Sequence, residues 1–151
     1  MGPLPLLARD ERGTSAIEMA LALPILAGLL IGMVDMSLGF AAKLHLEQAA
    51  QRSIEKAMQG TKSTTLYDTL KVEGAAAAGV NPSAVVVDYW LECNGARKSD
   101  FETNCTAGQS YARYLTVEIT KAYTPMFSAR FAGANADGTY TLRGRAGIRV
   151  Q

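Results

Sequence analysis

Between Met19 and Val34 the chain carries no charged residue, and between Met19 and Ala42 it carries one, Asp35. A helix over Met19–Ala42 would be about 36 Å long, enough to cross a bilayer core of about 30 Å. This stretch constrains the fold more than any other feature. A chain of 151 residues has room for one such segment and one modest domain. At the mouth of the apolar run stands Glu18, five residues past Gly13, which closes the charged cluster Arg9-Asp10-Glu11-Arg12. A carboxylate entering hydrocarbon costs kcal/mol, so its presence there tends to mark function. Pro24, Gly28, Gly32 and Gly39 are tolerated in a spanning helix. Gly28, Gly32 and Ser37 also give small surfaces where a second helix can come close.

Arg9 and Arg12 precede the run and Lys43 follows it, which favours a cytoplasmic N-terminus with residues 43–151 across the membrane. Three fates are open to the segment. It can stay as an uncut anchor. It can be a secretory signal cut near Gly39-Phe40-Ala41, where small residues flank a bulky one. Or it can be cut on the cytoplasmic side after Gly13, keeping the whole helix. The run is long for a signal h-region and continues into an amphipathic pattern, which weighs against the second fate. Asp35, about five turns beyond Glu18, is read as lying near the outer interface, with contact to a partner helix as the alternative.

Past Lys43 the apolar residues Leu46, Ala49, Ala50, Ser53, Ile54, Ala57 and Met58 recur at helical spacing, with charged and amide side chains on the other side. One helix is therefore expected from Thr14 to Gln59, its first half in lipid and its second half docked on a soluble domain, with Gly60 as a stop. Leu66, Leu70, Glu73, Ala76 and Ala77 suggest a second short helix ending at Gly79, with Pro82 following. Alternation over Ser83–Cys93, Arg113–Tyr123 and Thr139–Val150 reads as three strands. The expected fold is α+β: a long N-terminal helix, membrane-spanning then amphipathic, packed on a small antiparallel three-stranded sheet with a second short helix.

Cys93 and Cys105 flank much of the Asn94–Ser110 loop, and in an oxidising compartment they should form a disulfide. With one histidine and two cysteines, the composition excludes most histidine- or cysteine-rich metal sites and most histidine-based catalysis, and no cofactor is expected. His45 has no second histidine or cysteine near it in sequence and reads as structural or exposed. Gly74-Ala75-Ala76-Ala77-Ala78-Gly79 lacks the Lys-Ser/Thr of a phosphate loop and reads as helix. The net charge of +1 gives no reason to expect nucleic acid. Pro125-Met126-Phe127 and Phe131 form an apolar island, either a cap on the core or a contact for another subunit. Arg143, Arg145 and Arg149 make a basic stripe on one strand face, read as a solvated face with a docking surface as the alternative.

The stretch Arg12-Gly13-Thr14-Ser15-Ala16-Ile17-Glu18-Met19-Ala20-Leu21-Ala22-Leu23-Pro24 resembles the N-terminus of TadE-like proteins, the pseudopilins or minor pilins of the tight-adherence (Tad/Flp) pilus system. The shared pattern is a glycine, four residues, a glutamate, a bulky residue and an Ala-Leu-rich run with a proline. At the position after the glutamate this chain has Met19, where the related major pilins usually carry tyrosine. The resemblance implies a cytoplasmic leader 1–13, a transmembrane helix 14–42 and an extracytoplasmic pilin-like domain 43–151. A prepilin peptidase would cut between Gly13 and Thr14, and Glu18 would become the fifth mature residue and the carboxylate used in assembly. The implied function is that of an inner-membrane minor pseudopilin, not an enzyme. Its partners would be the peptidase, other pilin subunits, the Tad inner-membrane assembly platform and membrane lipid. The competing expectation is a secreted soluble binding domain released by signal peptidase near Ala41, with its function in the Asn94–Ser110 loop.

Overall fold

The computed structural model describes residues 14–59, 64–126 and 133–150. Two helices and four strands follow in chain order: α1 (Thr14–Gln59), α2 (Thr64–Ala78), β1 (Val85–Cys93), β2 (Ala96–Lys98), β3 (Tyr111–Tyr123) and β4 (Tyr140–Arg149), with a 3-10 turn at Pro82–Ala84 before β1. The chain divides into two compact units at Leu38/Gly39. α1 has the expected bounds. The expected stop at Gly60 lies outside the described residues.

The first unit holds α1 up to Leu38. Its large apolar side chains are exposed on every side, from Ile17 through Leu23, Leu29 and Leu30 to Leu38. Pro24 sits inside the helix. Lacking an N–H, it leaves the Ala20 carbonyl without its usual partner. Asp35 is the exception to the exposure, 9% exposed among exposed neighbours.

In the second unit, the later turns of α1 and all of α2 cover one face of the sheet. Leu46, Ala49, Ala50, Ile54 and Ala57 are buried together with Tyr67, Leu70, Val85, Leu115, Val117 and Ile119. Ser53 is buried too, its hydroxyl donating to the Ala49 carbonyl at 3.0 Å. Met58, expected on this face, is exposed instead. Fully burying a leucine or isoleucine stabilises by about 1.5–3 kcal/mol, so Leu46, Leu115 and Ile119 weigh heavily. The closest approach is at Gly144 of β4. A Cβ there would stand 2.3 Å from the Leu46 carbonyl carbon and 2.5 Å from the Glu47 nitrogen. The helix backbone lies directly on the strand, and only glycine leaves room.

α2 buries Leu70, which the helical spacing brought out, and sets Tyr67 beside it in the core. Tyr67, Leu70, Gly74, Ala75 and Ala78 are buried, whereas Ala76 is exposed. The Tyr67 ring packs on Tyr89 at 5.2 Å and on Phe101 at 5.4 Å. Gly74 allows the close fit, since a Cβ there would lie 3.1 Å from the Ser53 hydroxyl. The helix ends as expected. Gly79 takes φ +63°, its N–H reaches the Ala76 carbonyl at 3.3 Å, and the Val80 N–H reaches Ala75 at 3.0 Å. That pair of bonds satisfies two carbonyls of the last turn, and glycine adopts the left-handed conformation without cost from a side chain.

The sheet is antiparallel, in the order β2-β1-β3-β4. It has four strands where three were expected. The extra one, β2, is three residues long and folds back on β1 through a two-residue turn: Cys93 pairs with Ala96, and Asn94 and Gly95 between them have φ 51° and 78°. Positive φ at both central residues is the geometry that Asn-Gly favours in tight hairpins. The other strands differ from expectation by one or two residues at their ends.

Candidate functional site

The sequence directs attention to the start of α1. Gly13, the expected scissile glycine, lies outside the described residues. Thr14 opens the helix, and Glu18 follows as its fifth residue, exposed to the surroundings. The first four N–H groups of any helix lack intrahelical acceptors and carry the positive end of the helix dipole. A carboxylate one turn in is therefore favoured at this end. Glu18 makes no ion pair among the described residues.

The surroundings of Glu18 are apolar. Ile17 is 62% exposed and Met19 66%, and the same holds for the large side chains that follow. A surface this apolar all round is unlike that of a helix facing water on one side. The helix is long and apolar enough to cross a membrane, with mean hydropathy 2.2 over its most apolar window. In low dielectric, a carboxylate and an ammonium attract far more strongly than in water. A carboxylate in such surroundings is suited to pairing with a cation.

A sequence pattern of defined kinship covers this helix. The TadE-like protein family matches residues 13–54. These residues are TadE-like. The match takes in the glycine before the helix, the whole exposed apolar stretch, and the docked turns up to Ile54. It stops short of α2 and the sheet. No curated protein and no solved structure matches the chain.

Away from the TadE-like stretch, the disulfide joins Cys93 and Cys105 with a Cα–Cα separation of 5.6 Å, as the compartment argument expected. It holds the end of β1 against the loop before β3. A cavity of about 310 Å³ opens here, lined by Leu91, Asn104, Cys105, Gly108, Tyr111 and Arg113 among others. Arg113 is committed to the loop itself. Its Nε donates to the Phe101 carbonyl at 3.1 Å and an Nη to the Thr103 carbonyl at 2.9 Å. Phe101, within the expected Asn94–Ser110 loop, is buried beneath it. This region is built to brace a loop, and its cation is already spent on backbone carbonyls.

The remaining expectations fall into place without chemistry. His45 is exposed. Met126 of the apolar island is 74% exposed and so does not cap the core, while Phe127 and Phe131 lie outside the described residues. Arg143, Arg145 and Arg149 stand on the outer face of β4, and Arg143 reaches Glu118 at 3.5 Å. Sequence reasoning missed the Arg97-Trp90-Tyr114 stack on that same face. The Arg97 guanidinium lies 4.7 Å from the Trp90 ring, which stacks on Tyr114 at 5.2 Å. The alternation of β1 put Trp90 opposite to the buried side, but the register that brings Tyr114 beside it needed the structure.

Proposed function

We propose that this chain is a TadE-like minor pseudopilin that takes part in assembling a Tad/Flp-type adhesive pilus. The observation that carries the proposal is the coincidence of the TadE-like match with one helix, apolar and exposed through its first half and bearing a lone carboxylate at its start. On this reading the helix is held in the inner membrane with its N-terminus in the cytoplasm and the second unit outside. A prepilin peptidase removes residues 1–13, and Thr14 gains a free ammonium. Glu18 then pairs with the ammonium of a neighbouring subunit, and the pair sets the axial register of one helix against the next. The chain performs no reaction of its own; it is the peptidase's substrate and a partner of other pilin subunits and of the assembly platform.

The test is the intact mass and N-terminal sequence of the protein taken from its native membrane. Thr14 as the first residue, with the helix retained, is the expected result. A start near Ala42 would remove Glu18 and make the chain a secreted domain. Gly13→Leu should block processing, whereas Glu18→Ala should leave cleavage intact and reduce pilus assembly. Unchanged assembly in Glu18→Ala would overturn the register role.

A further inference from the structure

Two contacts within the second unit fix how the sheet lies along α1. Gly144 of β4 meets the helix backbone at Leu46. At the end of β3, a Cβ on Gly39 would stand 3.3 Å from the Tyr123 ring. Tyr123 is paired in register with Tyr140, the first residue of β4. The two spacings agree. Gly39 to Leu46 is about 10 Å of helix, and Tyr140 to Gly144 is about 13 Å of strand. β4 therefore runs along α1 in the same direction, and the end of the sheet formed by Tyr123 and Tyr140 is level with Gly39. Residues 124–126 and 135–139 flank that end and stand at about the same level. Gly39 lies within the apolar run that ends at Ala42, one turn short of Lys43. The end of the sheet is thus about 6 Å to the apolar side of the first charge after the run.

The surface at this level has the composition of a membrane boundary. On α1, Phe40 is 64% exposed, and after β3, Met126 is 74% exposed. Tyr123 and Tyr140 are half-buried. Tyrosine, with an apolar ring and a polar tip, is enriched where hydrocarbon meets water. Lys43 and Lys121 are exposed nearby and carry the charge that suits lipid phosphates. The turn before β4 closes its polar groups on itself. The Asn135 N–H donates to the Thr139 carbonyl at 2.7 Å, and the Gly138 N–H to the Asn135 carbonyl at 2.9 Å. The Thr139 N–H donates to the Asp137 carboxylate at 3.0 Å. Backbone groups satisfied in this way enter a poorly hydrated layer at lower cost. The opposite end of the sheet, where Cys93 pairs with Tyr111, is flanked instead by exposed Lys98, Asp100 and Glu102.

We infer that the Tyr123/Tyr140 end of the domain rests on the bilayer surface, with both tyrosines at headgroup depth, Phe40 and Met126 entering the acyl boundary, and Lys43 and Lys121 facing lipid phosphates. The inference rests on the reading that α1 spans the membrane through Ala42. It adds that the folded domain, and not the helix alone, binds lipid.

The test uses full-length protein, its native disulfide intact, reconstituted at low density into vesicles of phosphatidylcholine and phosphatidylglycerol. Single nitroxide labels are placed at Met126→Cys, Leu30→Cys and Lys98→Cys, and collisions with oxygen and with a water-soluble nickel complex are compared. The ratio of oxygen to nickel collisions at position 126 should be about tenfold above that at position 98, as for a side chain buried at the acyl boundary. A ratio at 126 equal to that at 98, with position 30 still shielded from nickel, would overturn this inference and leave the membrane reading standing. Nickel access at both 30 and 126 would overturn the two together. Shielding of position 126 from both reagents would mean that protein covers it, and would overturn the assignment to lipid.

Discussion

α1 is one helix with two kinds of surface. Before Leu38 its leucines stand exposed, Leu30 at 55%, whereas in the later turns Leu46 is 0% exposed. The residue type is the same and the outcome is opposite. What differs is the pattern around each leucine. The early turns are apolar on all sides, which no single docking face can bury. The later turns confine their apolar residues to one stripe, with Glu47, Gln51, Arg52 and Glu55 between, and that stripe meets the sheet. Apolar content thus decides how much surface must leave water. Its period decides whether the chain's own domain or something else receives it. On the proposed reading the other receiver is lipid.

The strongest way to break the docked half is at Gly144. Gly144→Val places a side chain within the Leu46 backbone and should destabilise by about 3 kcal/mol or more, seen as a shifted denaturant midpoint. The comparison itself is sharpened by a matched pair. Leu46→Ala should cost about 2–5 kcal/mol, and Leu30→Ala should leave the unfolding of the second unit unchanged. Next comes the disulfide. Cys93 and Cys105 are 12 residues apart, and their replacement by serine should cost about 3 kcal/mol by loop-entropy reasoning.

The smallest effect is expected at Tyr67. Its hydroxyl is buried without a hydrogen-bond partner among the described residues, and burial raises its pKa above the ordinary value of 10.0 despite the nearby Arg113 charge. Because the folded state holds the proton more tightly than the unfolded state, this group's contribution is complete below pH 10. It is lost as pH rises from there through the higher folded value. Tyr67→Phe removes a polar atom that gains nothing, so stability at neutral pH should change by no more than about 1 kcal/mol. The variant should also lose less stability than the parent above pH 10, which unfolding curves at pH 8 and 11 would show.

Much of the fold was legible because its elements follow strong periodic signals. The full extent of α1, the stop at Gly79 and the main bodies of β1, β3 and β4 could be read from spacing alone. β2 was not, because three residues are too few for a period. Its signal lay in Asn94-Gly95, a pair that fits a tight hairpin, inside the Asn94–Ser110 stretch. On α2 the spacing brought out Leu70, which is buried, but not Tyr67, whose place in the core rests on tertiary contacts with Tyr89 and Phe101. Gly144 showed only as a gap in the alternation of β4. Its meaning, a helix backbone lying on the strand, exists only in three dimensions. At the candidate site, Glu18 stood out in sequence because a lone carboxylate at the mouth of an apolar run is costly. That β4 lies outermost among the described strands did not, because strand order is a property of the sheet.

The most direct test of the division of α1 is nitroxide labelling at single introduced cysteines, Leu30→Cys and Gln48→Cys, in protein reconstituted into lipid bilayers, with the native cysteines held in their disulfide. The account predicts that the label at position 30 collides readily with oxygen and poorly with a water-soluble nickel complex, and that position 48 shows the reverse. Free access of the nickel complex to position 30 would contradict it.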